Sequence, residues 1–292
     1  MRPTARLRLL VAAVVATALL PSCSAQRQPA QTAPENSAGP GGSAASTAAE
    51  PGGYPQPLPL TGDITSVHDP SMVRAPDGTY LLYSTGANLQ IRSSKDRQDF
   101  ALVGSVWPEG APWTKPFTSA TDSRALWAPD ISFHDGTFYL YYSASSFGSR
   151  NSAIFLATSA TGLPGTWKNV GLVWKTSEND EYNAIDPNLH VDDSGWWLSF
   201  GSFWSGIKMV RVKPGTGLPD KGDKKLYSLA TRPRSVDGAI EAPYIVRHDD
   251  YYYMFASFDA CCRGTSSTYR TMVGRSKTIT GPYVDPGRAK HD

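Results

Sequence analysis

Asp77-Gly78-Thr79-Tyr80-Leu81-Leu82-Tyr83-Ser84 is a polar turn that opens straight into a run of aromatic and aliphatic residues. The unit returns as Asp135-Gly136-Thr137-Phe138-Tyr139-Leu140-Tyr141-Tyr142-Ser143, as Ser194-Gly195-Trp196-Trp197-Leu198-Ser199-Phe200-Gly201-Ser202, and as Asp249-Asp250-Tyr251-Tyr252-Tyr253-Met254-Phe255-Ala256-Ser257. The turns start at 77, 135, 194 and 249, a period of 55 to 59 residues. Short alternating runs bounded by Gly, Asp, Asn and Pro read as strands, and no stretch after Leu60 keeps a helical period. Hairpins in a sandwich repeat every 8–12 residues or so. The longer period suits a four-stranded propeller blade with generous loops, so the sequence predicts an all-β propeller.

A short strand with a Pro near its start precedes each unit: His68-Asp69-Pro70-Ser71, Trp127-Ala128-Pro129-Asp130, Ile185-Asp186-Pro187-Asn188 and Glu241-Ala242-Pro243-Tyr244. The first strand of every propeller blade lines the central channel, so acids at these strand heads converge on the axis although they are far apart in sequence. Asp69 and Asp186 stand one residue before Pro, Glu241 two before and Asp130 one after, so the four acids are not equivalent. Glycoside hydrolysis needs one carboxyl group that holds a proton and one that is ionised, and a third acid nearby raises the first by like-charge repulsion. A single Asp-Pro is ordinary turn chemistry; four in register with a repeat are not.

The 292 residues carry 28 Lys and Arg against 26 Asp and Glu, with no basic run, which argues against a nucleic-acid partner. Aromatics make up 11%, including eight Trp and fourteen Tyr, enough for a large core and for flat rings in a sugar groove. Arg2, Arg6 and Arg8 precede the apolar run Leu9 to Leu20, which fits the h-region of a signal peptide. Leu20-Pro21-Ser22-Cys23 resembles a bacterial lipobox, which makes residues 1–23 a lipoprotein signal and Cys23 the lipidation site; Pro21 is unusual there, and plain secretion is the alternative. Either way the expected location is outside the cell, as a lipoprotein on the membrane's extracellular face or released. The membrane is then met only through the N-terminal lipid. Residues 24–58, rich in Ala, Gly, Pro, Ser and Thr, read as a disordered tether, and 59–292 as the folded domain. Cys261 and Cys262 are either free thiols or a vicinal disulfide, and their spacing does not suit zinc.

The motifs HDPS at 68–71, WAPD at 127–130, YNAIDPN at 182–188, WLSFGSFWSGI at 197–207, IEAP at 240–243 and CCRG at 261–264 closely resemble glycoside hydrolase family 43, in its endo-α-1,5-L-arabinanase branch, from about His68 to Val284. The resemblance implies a five-bladed β-propeller that hydrolyses arabinan with inversion. It implies Asp69 as general base, Glu241 as general acid and Asp186 as the group that tunes Glu241, with base and acid about 6.5–9.5 Å apart. It implies sugar contacts at Gly148, Asn183, Ala184, Ile185, Asp186, Ser202, Phe203 and Trp204, with Asp130 a further acid at the cleft. No cofactor is required for the chemistry. Calcium in the channel is implied through a Gly-His segment of the last blade, and the matching segment is absent here, because the chain runs to Asp285-Pro286-Gly287-Arg288-Ala289-Lys290-His291-Asp292 instead.

Four repeats against five blades predict a fifth blade largely missing, exposed apolar faces on the first and fourth blades, and a poorly stable or inactive monomer. Three other readings compete: an exo-acting arabinofuranosidase or β-xylosidase of the same family, a non-catalytic sugar-binding lipoprotein, and a purely structural propeller.

Overall fold

The computed structural model describes residues 56–118, 125–236 and 238–285. The expected signal segment 1–23 with Cys23, the expected tether as far as residue 55, and residues 286–292 with His291 lie outside the described residues. Residues 56–58 are exposed and belong to no strand.

The strands form four antiparallel meanders. The first holds β1 (Thr61–Gly62), β2 (His68–Arg74), β3 (Tyr80–Ala87), β4 (Gln90–Ser94) and β5 (Asp99–Ser105), with β1 added parallel to β5. The second holds β6 (Ala125–His134), β7 (Thr137–Ala144), β8 (Ser152–Ser159) and β9 (Lys168–Thr176). It joins the first through two pairs between β3 and β6, Gly86 with Leu126 and Ala87 with Ala125, which makes one nine-stranded sheet. The third is β10 (Asn188–Asp192), β11 (Gly195–Phe200), β12 (Ile207–Val212) and β13 (Tyr227–Ala230). The fourth has three strands, β14 (Ile240–His248), β15 (Tyr251–Phe258) and β16 (Arg270–Ser276). Each repeated turn is the hairpin between the first two strands of a meander, as the period predicts.

The core consists of three layers, each between consecutive meanders. Because side chains alternate across a strand, β7 sends Leu140 and Tyr142 towards the first meander and Tyr139 and Tyr141 towards the third. This explains why the repeat units of the second and third meanders are apolar at nearly every position: β7 and β11 are covered on both faces. Met209, Ile245 and Met254 fill the third layer. The free face of the fourth meander leaves Tyr244, Phe255 and Val273 exposed, and the first meander exposes Met72. Cys261 and Cys262 are joined as a vicinal disulfide on the β15–β16 connection, which resolves the choice left open by the sequence.

Two tyrosines lock meanders together. Tyr83 donates to the carbonyl of Gly162 and Tyr141 to that of Gly217. Both acceptors belong to a repeated Thr-Gly-Leu-Pro, at 161–164 and 216–219. Gly217 sits at φ +67, and a Cβ there would lie 2.7 Å from the Tyr141 hydroxyl oxygen and 2.8 Å from Leu156 Cδ2. Gly217→Ala therefore combines left-handed strain with a clash against buried atoms. It is expected to lower stability by about 2 kcal/mol or more, read as a drop in Tm; an unchanged Tm would refute this packing.

Candidate active site

The backbone at the heads of the inner strands follows one design. Asp69, Ala128, Asp186 and Ala242, each immediately before a proline, all have positive φ, between 42° and 58°. Three of these heads coincide with breaks in strand register, between His68 and Ser71, Trp127 and Asp130, and Glu241 and Tyr244. An extra residue at a bulge bends the strand and re-aims a side chain. The carboxylates of Asp69 and Glu241, at two of these breaks, and of Asp186, just before β10, face one cavity of about 1470 Å3.

Asp69 Oδ2 accepts from Thr85 Oγ1 at 2.6 Å and lies 2.8 Å from His68 Nδ1. Thr85 also receives the backbone N–H of Ala128, so one hydroxyl ties Asp69 to the second meander. Glu241 accepts from Ser202 Oγ at 2.7 Å and from Tyr269 Oη at 2.9 Å. Asp186 Oδ2 accepts the N–H of Ala242 at 3.2 Å, which couples it directly to the residue after Glu241. Its own N–H goes to Ser143 Oγ. Three acids from three meanders therefore face one space, each steered by hydroxyl or amide donors.

With this geometry stand the likenesses to known proteins. The pattern of Glycosyl hydrolases family 43 matches residues 64–289. The chain belongs to that family. It is 42% identical over 224 residues to the extracellular endo-α-(1→5)-L-arabinanase 1 of Bacillus subtilis (strain 168), spanning 75% of this chain and 68% of that protein. It is equally 42% identical over 233 residues to the extracellular exo-α-(1→5)-L-arabinofuranosidase ArbA of Cellvibrio japonicus, covering 75% of this chain and 66% of that one. Among solved structures, the family 43 endo-arabinanase from Bacillus licheniformis superposes with a TM-score of 0.72 at 43% identity, covering 78% of each chain.

Most residues expected from the family 43 resemblance meet at this cavity: Asp69, Gly148, Asn183, Ile185, Asp186, Ser202, Phe203, Trp204 and Glu241 line it. Ala184 does not. It is fully buried in the core between the second and third meanders, and its N–H goes to Thr176 Oγ1, so the expected sugar contact there is corrected to a packing role. Asp130 lines the cavity with both carboxyl oxygens already engaged, by Asn188 Nδ2 and by the N–H of Leu189. Asn183 is 4% exposed, and its Oδ1 has no protein donor among the described residues. An unpaired buried acceptor in a cavity wall costs free energy unless a ligand or water supplies a donor.

Sequence reasoning missed His68, Thr85, Tyr269 and Phe147. His68 stood inside the quoted HDPS motif. Thr85 and Ser143 sit at the ends of the repeat's second strands, a hydroxyl pattern visible once the repeats are aligned. Phe147 is 77% exposed at the cavity with its ring 5.1 Å from that of Trp127. Tyr269 lies on the β15–β16 connection, which has no counterpart in the repeat. Of the aromatic residues expected at the site, Trp204 carries the Arg150 guanidinium 5.3 Å from its ring centroid.

Among the described residues no group of three or more His, Cys, Asp or Glu is arranged to hold a metal ion. The chemistry below uses side chains alone.

Burial, then the negative charges of Glu241 and Asp69, push Asp186 well above the usual carboxylate range. Burial also raises Asp130, to about 6, against the two hydrogen bonds that favour its ionised form. The family resemblance assigned Asp186 the tuning of Glu241 and a sugar contact; in the structure its own proton affinity is the one raised by burial and by the two neighbouring acids. Asp186 thus keeps its proton in the fold where the unfolded chain has released it. Its contribution to stability is full below the unfolded value and is lost as pH rises through the folded one. Asp186→Asn removes that loss and is expected to raise Tm at pH 7 by about 2–4 °C and to flatten the decline from acid to neutral pH. Calorimetry across pH checks this, and a lower Tm at pH 7 with an unchanged slope contradicts it.

Proposed function

We propose that the chain hydrolyses α-1,5-L-arabinofuranosidic bonds within arabinan, with inversion of configuration. The observation that carries this reading is the convergence of Asp69, Asp186 and Glu241 on one cavity whose wall also holds the unpaired acceptor of Asn183. Asp69, held by Thr85 and His68, takes a proton from a water as the water oxygen attacks the anomeric carbon. The bond to the leaving oxygen breaks, and Glu241 donates the proton that this oxygen needs. Asp186 stands beside Glu241, and its hydrogen bond from the N–H of Ala242 holds the two carboxyl groups in one cluster. The exposed ring of Phe147 and the partly exposed Trp204 supply flat apolar surfaces for the sugar faces. An endo mode is supported by the arabinanase relative, and the lengths of the products distinguish it from the exo mode named for the second relative.

The four meanders fit four blades of a five-bladed propeller. The uncovered residues Tyr244, Phe255, Val273 and Met72 support a fifth blade's place between the fourth and the first. The Arg-rich start, the Leu9 to Leu20 run and Cys23 support export as a lipid-anchored protein; Cys23→Ala is expected to move the protein from the membrane fraction to the medium, and retention in the membrane fraction contradicts the anchor.

On linear α-1,5-arabinan, the wild type is expected to release oligomers of several lengths in a product chromatogram. Asp69→Ala and Glu241→Gln are expected to cut kcat by about 10²–10⁴-fold while circular dichroism and Tm stay close to wild type. Arabinose as the sole product sinks the endo mode, and full activity in either variant sinks the assignment of base and acid.

A further inference from the structure

The residue after each of the first three inner-strand prolines reaches across to the next meander. Ser71 Oγ accepts the N–H of Ile131 at 3.1 Å, Asp130 Oδ2 that of Leu189 at 2.8 Å, and Asn188 Oδ1 that of Ile245 at 2.9 Å. In each case the donor stands two residues after the next proline, so the contact is one device used three times around the channel. Asp130 alone doubles it, because its second oxygen accepts Asn188 Nδ2 at 3.1 Å. The result is a relay, Asp130 to Asn188 to Ile245, that links β6, β10 and β14 directly beneath the acids. His190 Nδ1 adds a contact at 3.2 Å to the carbonyl oxygen of the same Ile245.

The relay bears on the reacting groups through short, stiff connections. Only Pro187, with its fixed φ, separates Asn188 from Asp186. Ile245 follows Glu241 in one strand with Pro243 between them, and Asp186 Oδ2 holds the N–H of Ala242. A shift of Asn188 therefore moves Asp186 against Glu241. Each carboxyl oxygen of Asp130 already accepts one bond from the fold, and the residue is 7% exposed.

We propose that Asp130 is a positioning residue: its carboxylate clamps Asn188 and Leu189 and so sets the distance between Asp186 and Glu241 on which proton transfer to the leaving oxygen depends. The ionisable groups facing Asp130 are the phenols of Tyr141 on β7 and Tyr244 on β14; those facing Asp186 are Glu241, Asp69 and the phenol of Tyr269 on the β15–β16 connection. The role rests on the proposed hydrolysis, and misplacing a catalytic pair by about 1 Å costs on the order of a hundredfold in rate.

The test is a residue exchange. Asp130→Asn turns an amide NH2 against the amide NH2 of Asn188 and breaks the relay at its centre. Asp130→Asn combined with Asn188→Asp rebuilds all three bonds: the amide at 130 accepts from Leu189 N–H and donates to the carboxylate at 188, which accepts from Ile245 N–H. Asp130→Asn is expected to lower kcat on linear arabinan about ten- to a hundredfold with KM little changed, and to displace the limb of the pH–kcat profile set by the Asp186–Glu241 pair. The double exchange is expected to recover kcat to within about threefold and to return the limb. A kcat and pH profile unchanged in Asp130→Asn, with only Tm lowered, overturns the proposal, since a merely structural clamp behaves so. A double exchange that folds without recovering kcat also overturns it, because the charge at 130, or a sugar contact there, is then what matters. If Asp130→Asn alone does not fold, the double exchange decides: it must fold and turn over. A wild type inactive on arabinan would fail the functional reading instead, leaving recovery of Tm in the double exchange as the reading of the relay.

Discussion

The site depends on a backbone conformation that these residues do not favour by themselves. Four residues before prolines stand in the left-handed region, two of them alanines. Each costs roughly 1–2 kcal/mol for a residue with a Cβ, and the following proline narrows the choice further. Such conformations persist only where the surroundings over-determine them. Here the surroundings are the hydroxyls of Thr85 and Ser143 and the carboxylate of Asp186, which hold the N–H groups of Ala128, Asp186 and Ala242 respectively. The strained residue of one meander is thus held by a side chain of the one before it.

This arrangement makes the chemistry a property of the assembly of meanders rather than of any one of them. Asp69 and Glu241 are 172 positions apart in the chain, yet share one cavity. The bonds that orient them also hold the meanders together: Thr85 serves both Asp69 and Ala128, and Ser202 reaches Glu241 from the meander before it. The apolar layers between meanders and the tyrosine bonds to Gly162 and Gly217 set the spacing within which these short polar contacts work.

The electrostatics follow from the same crowding. Asp186 lies between two other acids and accepts one backbone N–H, and its proton affinity rises accordingly. Asp192, on the same inner strand, shows the contrary case: despite its desolvation, donors from Ser194, Tyr252 and His190 hold its carboxyl down at about 2. Two carboxylates six residues apart are separated in protonation by their hydrogen-bond donors, a division that makes one useful for proton storage and the other for holding strands.

The strands, their grouping and the three acids were legible in the sequence because they rest on local periodicity: a turn, an alternating run and an acid beside a proline repeat at a fixed interval, and each is written in contiguous residues. The tertiary structure alone decided that Asp130 is hydrogen-bonded to Asn188 and Leu189, that Ala184 belongs to the core, that Tyr269 and His68 attend Glu241 and Asp69, and that burial raises the proton affinity of Asp186 and of Asp130. Those outcomes depend on which face of a strand a residue takes and on donors that arrive from other meanders. A sequence records what a residue is and what stands beside it in the chain; distances across the fold and the loss of water around a charge exist only after the meanders have packed.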